Sequence, residues 1–165
     1  MSWKKALTIT TILAGATSVG IHLINKAIHI SATMDHLLKP ASETFYDWKF
    51  GKIFYTKQGQ GTPLLLIHDL NTSSSEYEWK KIVSMLSEYR TVYTLDLLGC
   101  GRSEKPNLTY TNYLYVQLIN DFIKNVIKEK SDVVVTGQSS SFILGACQNS
   151  KENIDSIIMI NPADI

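Results

Sequence analysis

The chain has 165 residues, of which 44% are apolar and 19% charged, with a formal net charge of +1. That length suffices for one domain with a real core, and a near-neutral balance with no basic stripe excludes a nucleic-acid binder. The two cysteines, Cys100 and Cys147, lack metal-ligand spacing and are too few for a disulfide framework, so they read as small buried side chains.

The N-terminal segment, residues 1–40, differs from the rest. Lys4 and Lys5 precede an uncharged stretch from Ala6 to Asn25, matching the roughly 20 residues that cross a bilayer core. Length and basic start predict a single membrane-anchoring span over residues 6–25. Thr8, Thr10, Thr11, Thr17, Ser18 and His22 dilute it. Ala14-Gly15-Ala16 has the small-x-small form of a cleavage site, which leaves a secreted product as the alternative, and a surface helix is the third reading. Lys4 and Lys5 before the stretch are balanced by Lys26 and Lys39 after it, so orientation is hardly set. His22, His29 and His36 recur every seven residues. On a helix they would lie about 10.5 Å apart, too far to share one metal ion.

Past Pro40, residues 41–165 read as part of one α/β domain. Phe45, Tyr46 and Trp48, then Ile53, Phe54 and Tyr55, mark two strands around Gly51. Leu64-Leu65-Leu66-Ile67 is a continuous apolar run, as expected of a strand buried on both faces. From Glu76 to Glu88 the period becomes helical, with Trp79, Ile82, Val83 and Leu86 on one face. Thr91–Leu95 is a strand, and Tyr110–Lys130 a long amphipathic helix with Tyr115, Leu118, Phe122 and Val126 toward the core. Val133-Val134-Val135 lies in another buried strand, Phe142–Cys147 starts an apolar helix, and Ser156–Ile160 is the sixth strand. Strands alternating with helices after the third strand predict right-handed crossovers and a mainly parallel sheet.

Three motifs sit at the C-terminal ends of these strands. Gly137-Gln138-Ser139-Ser140-Ser141 lies between a buried strand and an apolar helix, the context a nucleophile elbow needs. There a serine sits at a sharp turn with positive φ, and the residues two before and two after it must be small; Gly137 and Ser141 meet that need. The bland alternative is a strand-to-helix loop whose serines cap the helix. His68-Asp69-Leu70 follows the third strand, and Asp96-Leu97-Leu98-Gly99-Cys100-Gly101-Arg102-Ser103 follows the fourth. The last is no dinucleotide fingerprint, because Glu104 stands where the third glycine belongs and no helix opens there.

Together these motifs resemble the α/β-hydrolase family over residues 44–165, matching the first six strands of an eight-stranded sheet. The resemblance implies a serine hydrolase, esterase-like, acting through a Ser139 acyl-enzyme on a small ester or amide-like substrate, with no cofactor and no metal. It makes the backbone N–H groups of Leu70 and Ser140 the oxyanion-hole donors. His68, Asp96, Gly99, Gly101, Gly137 and Ser141 become loop supports. Asp69 stands where the family has glycine, and its carboxylate opposes an oxyanion unless it points away. Asp164, after the sixth strand, is a candidate acid beside the simpler reading of a solvated loop carboxylate. In this family the order is serine, acid, histidine, and no histidine follows Ser139. The chain therefore reads as an N-terminal portion truncated before its catalytic histidine and inactive alone. The alternatives are a non-catalytic hydrolase-like binding protein and a functionless fragment.

Overall fold

The computed structural model describes residues 17, 19–28 and 44–163, in two units that divide between Lys39 and Pro40. In the first unit, residues 19–28 are helical. No helix among the described residues is long and apolar enough to cross a membrane. This overturns the membrane-anchored location and the single span expected over residues 6–25. Within the expected span, the described helical residues include the polar His22 and Asn25. Residues 6–16 and 18 of the expected span lie outside the described residues, as do His29 and His36.

The second unit is built on a six-stranded sheet of order β1-β2-β4-β3-β5-β6. The strands are β1 (Thr44–Trp48), β2 (Gly51–Gln58), β3 (Pro63–Ile67), β4 (Thr91–Leu95), β5 (Ser131–Thr136) and β6 (Ile154–Ile160). The sheet is mixed rather than purely parallel: the four strands expected to be parallel are so, and the first two attach antiparallel. β1 pairs antiparallel with β2, and β2 antiparallel with β4, whereas β4, β3, β5 and β6 run parallel. The cause is local. Trp48 faces Gly51 in the register, so only Lys49 and Phe50 join β1 to β2, and a two-residue connection can make only an antiparallel hairpin.

β3 is buried along its whole length because helices cover both faces of the sheet. Its side chains alternate between two cores. Leu65 and Ile67 enter the larger one, with Tyr115, Leu118, Phe122 and Phe142. Leu64 and Leu66 enter the smaller one, with Trp79 and the partly buried Ile82, Val83 and Leu86. The latter residues come from a 3₁₀ turn, Glu76–Trp79, that runs into helix α1 (Lys80–Leu86). Helix α2 (Asn112–Phe122) is capped by Thr111, whose hydroxyl accepts the Leu114 N–H at 3.2 Å. It ends earlier than the amphipathic pattern predicts, in a π turn over Ile123–Ile127 closed by Lys128 in the left-handed region at φ 63°. Phe122 is the aromatic hub, edge-on to Tyr46, Tyr55 and Tyr93. Helix α3 (Ser140–Asn149) packs beside α2, and Tyr115 stacks on Phe142 at 5.1 Å.

Two polar nodes fix the loops at the C-terminal end of the sheet. At the first, the fully buried Asp96 accepts the Glu76 N–H at 2.6 Å and the Arg102 N–H at 2.8 Å. Its carboxylate also pairs with the Arg102 guanidinium, which meets Glu76 as well and lies 3.6 Å above the Phe54 ring. Gly101 takes φ 46°, and a Cβ there would fall 2.3 Å from Asp96 Oδ2. The glycine in this loop is thus required by close approach of a carboxylate.

The second node is His68. Leu97 N–H donates to Nε2 at 3.0 Å, so Nε2 must accept and the ring proton sits on Nδ1, which donates to Asp69 O at 2.6 Å. A second proton on Nε2 would face the Leu97 N–H. Burial holds the imidazole below its ordinary pKa of 6.5, against the pull of the Asp69 carbonyl and of the Asp96, Glu78 and Asp69 charges.

Two outcomes follow for stability. Removing one partner of a buried, hydrogen-bonded ion pair costs about 3–5 kcal/mol, so Asp96→Ala should lower the unfolding free energy by that amount, read from urea denaturation. For His68, the unfolded chain takes up a proton more readily than the folded one. Stability therefore falls as pH drops through and below 6.5, by at most about 1.4 kcal/mol per pH unit for one proton. His68→Gln, though less stable throughout, should lose that part of the slope in urea midpoints measured between pH 5 and 7.5. Parallel profiles for the two proteins would contradict the neutral ring.

Candidate active site

The central parallel strands β4, β3 and β5 bring three loops together at their C-terminal ends, as the strand order of a parallel sheet dictates. After β5 the chain turns through a 3₁₀ segment, Gly137–Ser139, directly into α3. Ser139 lies in the right-handed region, at φ −63° and ψ −18°. The positive φ expected at Ser139 falls instead at Gly137, φ 54°. Glycine adopts it without steric cost, and a neighbour exploits the missing side chain. A Cβ on Gly137 would lie 2.2 Å from Asp69 Oδ1.

Ser139 is fully buried, and its hydroxyl donates to the His68 carbonyl at 2.7 Å. The nucleophile-position serine and the β3 loop are thus in direct contact. The ring of His68 is turned elsewhere, both nitrogens being engaged by Leu97 and Asp69. It supports the loop and offers Ser139 no free nitrogen.

The two N–H groups assigned to an oxyanion hole already have partners. Leu70 N–H donates to Asp69 Oδ1 at 2.8 Å. The Ser140 N–H points back to the carbonyls of Gly137 and Gln138. Asp69 Oδ1 also takes the Gln138 N–H at 2.8 Å, and Oδ2 takes Asn71 Nδ2 at 3.1 Å. The carboxylate points inward, bridging the β3 loop to the β5 turn. Ser140 Oγ, by contrast, is a buried hydroxyl with no partner, and the exposed Ser141 donates to Gln138 O at 2.9 Å. Asp164 lies outside the described residues.

Sequence reasoning missed Glu78. Its Oε2 accepts the Asp69 N–H at 3.1 Å and its Oε1 accepts the Thr136 hydroxyl at 2.7 Å, so it clamps the same two loops from the other side. Nothing local marks it: it stands between Tyr77 and Trp79 in the 3₁₀ turn, where a carboxylate reads as solvent-facing.

Beside the site, a cavity of about 640 Å³ is lined by Leu70, Cys100, Pro106, Tyr110 and Tyr115 among others; Ser139 is not one of its lining residues. Its walls are largely apolar. Burial pushes the Cys100 thiol and the Tyr115 phenol up, with the neighbouring Asp96 charge adding to the effect at Cys100. Cys100 is therefore a protonated thiol at neutral pH and a poor nucleophile. Gly99, whose N–H donates to Glu104 O at 2.9 Å, forms the cavity rim together with Tyr110. Among the described residues no group of three or more His, Cys, Asp or Glu side chains is placed to hold a metal ion.

Comparison with known proteins agrees with this arrangement. The alpha/beta hydrolase family matches residues 64–160. The chain is 26% identical over 113 residues to a 2-hydroxy-6-oxo-6-(2'-aminophenyl)hexa-2,4-dienoic acid hydrolase of Metapseudomonas resinovorans, covering 67% of this chain and 39% of that protein. It is 24% identical over 114 residues to a haloalkane dehalogenase of Agrobacterium fabrum, covering 68% and 37%. Among solved structures, a serine hydrolase involved in carbazole degradation aligns with a TM-score of 0.70 at 25% identity, over 75% of this chain and 49% of that one. The chain thus spans about two fifths of the length of these curated relatives. The matched segment runs from the start of β3 to the end of β6, and so contains both the Ser139 turn and the loops that meet it: this chain belongs to the α/β hydrolase family.

Proposed function

We propose that the chain is the nucleophile-bearing part of a serine hydrolase acting on a small ester or amide-like molecule, with Ser139 as nucleophile. The contact between the Ser139 hydroxyl and the His68–Leu70 loop carries this reading. It sets the serine at the elbow position against the loop proposed to supply an oxyanion donor, at the centre of the parallel strands. The cavity bounded by Leu70 supplies adjoining apolar volume for the substrate. In the relatives named above the corresponding proteins are a hydrolase and a dehalogenase of small molecules, which agrees with a small substrate and leaves the bond type to experiment.

The chemical step has two requirements that the described residues do not meet. In acyl transfer, Ser139 Oγ attacks the carbonyl carbon while a base takes the hydroxyl proton. The base then passes that proton to the leaving alcohol or amine as the acyl bond breaks, and water hydrolyses the acyl-enzyme. His68 is committed, and no histidine follows Ser139 in the sequence. The base in this reading comes from another segment or another chain. Second, Ser139 Oγ must leave the His68 carbonyl and turn toward the substrate. The runner-up is a binding protein that uses the fold without catalysis. The inward Asp69 carboxylate is the observation that favours it.

A fluorophosphonate probe separates the two. In extract of the native source, the probe should label this protein at Ser139, identified by peptide mass, and a Ser139→Ala version should take no label. A native protein that stays unlabelled while other serine hydrolases in the extract react would sustain the binding reading instead. For the purified 165-residue chain, loss of the base typically costs about 10⁶-fold in such enzymes. Its hydrolysis of p-nitrophenyl acetate should therefore match that of Ser139→Ala. A Ser139-dependent kcat of about 1 s⁻¹ or more would show that a base is already present.

A further inference from the structure

We infer that Asp69 is a resident anion that holds the Ser139 site shut, and that a substrate oxygen gains its stabilising donor only when this carboxylate is displaced. The inference rests on the proposed role of Ser139.

The geometry is that of a bound oxyanion supplied by the chain itself. Asp69 Oδ1 receives two backbone N–H donors, Leu70 from the β3 loop and Gln138 from the β5 turn, each at 2.8 Å. Oδ2 receives a third donor, Asn71 Nδ2. No lysine or arginine pairs with Asp69 among the described residues; its charge is met by amide dipoles, as an enzyme meets a developing alkoxide. The niche exists because residue 137 has no side chain. The carboxylate lies where a Cβ of residue 137 would be, so Gly137 and Asp69 form a fitted pair across 68 positions of sequence.

Two consequences follow for a tetrahedral intermediate at Ser139. The Leu70 N–H cannot serve both the resident carboxylate and an incoming oxyanion at full strength. The negative charge of Asp69 also repels a second anion brought to the Leu70 N–H. Loss of one oxyanion donor lowers kcat by about 10²–10³-fold in serine hydrolases, which sets the size of the suppression. Opening requires only a side-chain rotation of Asp69 away from Gly137, because the donors belong to backbone that Glu78 holds through the Asp69 N–H and the Thr136 hydroxyl. Glu78 is thus placed to keep the two loops together when the carboxylate leaves.

The experiment compares wild type, Asp69→Gly and Asp69→Asn of the full chain. It uses two readouts: the Leu70 and Gln138 amide signals of the purified chain in ¹⁵N-correlated NMR spectra, and the rate of Ser139 phosphonylation by a fluorophosphonate in extract of the native source, where the base is supplied. Asp69→Gly should move both amide signals away from their carboxylate-bonded positions and raise the phosphonylation rate by about 10²-fold or more. Asp69→Asn keeps an acceptor of the same shape in the niche and removes only the charge. It should stay folded and give a smaller gain than Asp69→Gly. Amide signals that do not move in Asp69→Gly would overturn the inference whatever Ser139 does. So would signals that move while the Ser139 rate stays at the wild-type value. Moved amides with no Ser139 label in any variant or in native extract would instead remove the nucleophile reading, and the inference with it.

Discussion

The neutral imidazole of His68 is the fixed point of the functional edge of this sheet. β3 lies between β4 and β5, and His68 is the first residue after it. One ring nitrogen holds the chain leaving β4 through the Leu97 N–H, the other closes on the carbonyl of Asp69, and the His68 carbonyl holds the Ser139 hydroxyl after β5. Three strand ends converge on one residue whose ring can accept at Nε2 only while uncharged. Any account of the site has to begin from the cost of protonating or removing that ring, since the loop that presents Leu70 and the turn that presents Ser139 are both referenced to it.

How much of this the sequence carried varies with the range of the interaction. β3 and β5 were legible because each is a short unbroken apolar run, and such a run needs cover on both faces. The division of β3 into two cores, Leu65 and Ile67 against Leu64 and Leu66, is the period-two rule applied to it. The antiparallel attachment of β2 to β4 was not legible, because periodicity reports burial and says nothing of which neighbour a strand chooses. The end of α2 was overrun for a related reason. The apolar spacing continues through Val126 and Ile127, while the hydrogen bonding widens to a π turn and Lys128 reverses the chain. The site residues were named from local motifs, and their positions at strand ends follow from those strands. The right-handed backbone of Ser139 was not legible, nor was the carboxylate from far away in sequence that fills the space beside Gly137. The same holds for Glu78, which carries no local signal.

The membrane segment is a different kind of error. Length and a basic start fit a span, but neither measures apolarity. The threonines, Ser18 and His22 that dilute the stretch were visible from the start. Given equal weight with length, they argue against a span. Span identification rests on summed apolarity over the window, and length alone does not supply it.

The pairing of Asp69 with Gly137 changes what the serine motif means. A glycine two residues before a nucleophile normally answers to crowding within the elbow itself. Here the same glycine also admits a carboxylate from another loop, and its positive φ lets Gln138 turn an N–H toward that carboxylate. Ser139 itself lies in the right-handed region with its hydroxyl buried. The Asp69 carboxylate and the backbone leading into Ser139 thus meet at one turn, through the Gln138 N–H and the space left by the missing side chain of residue 137.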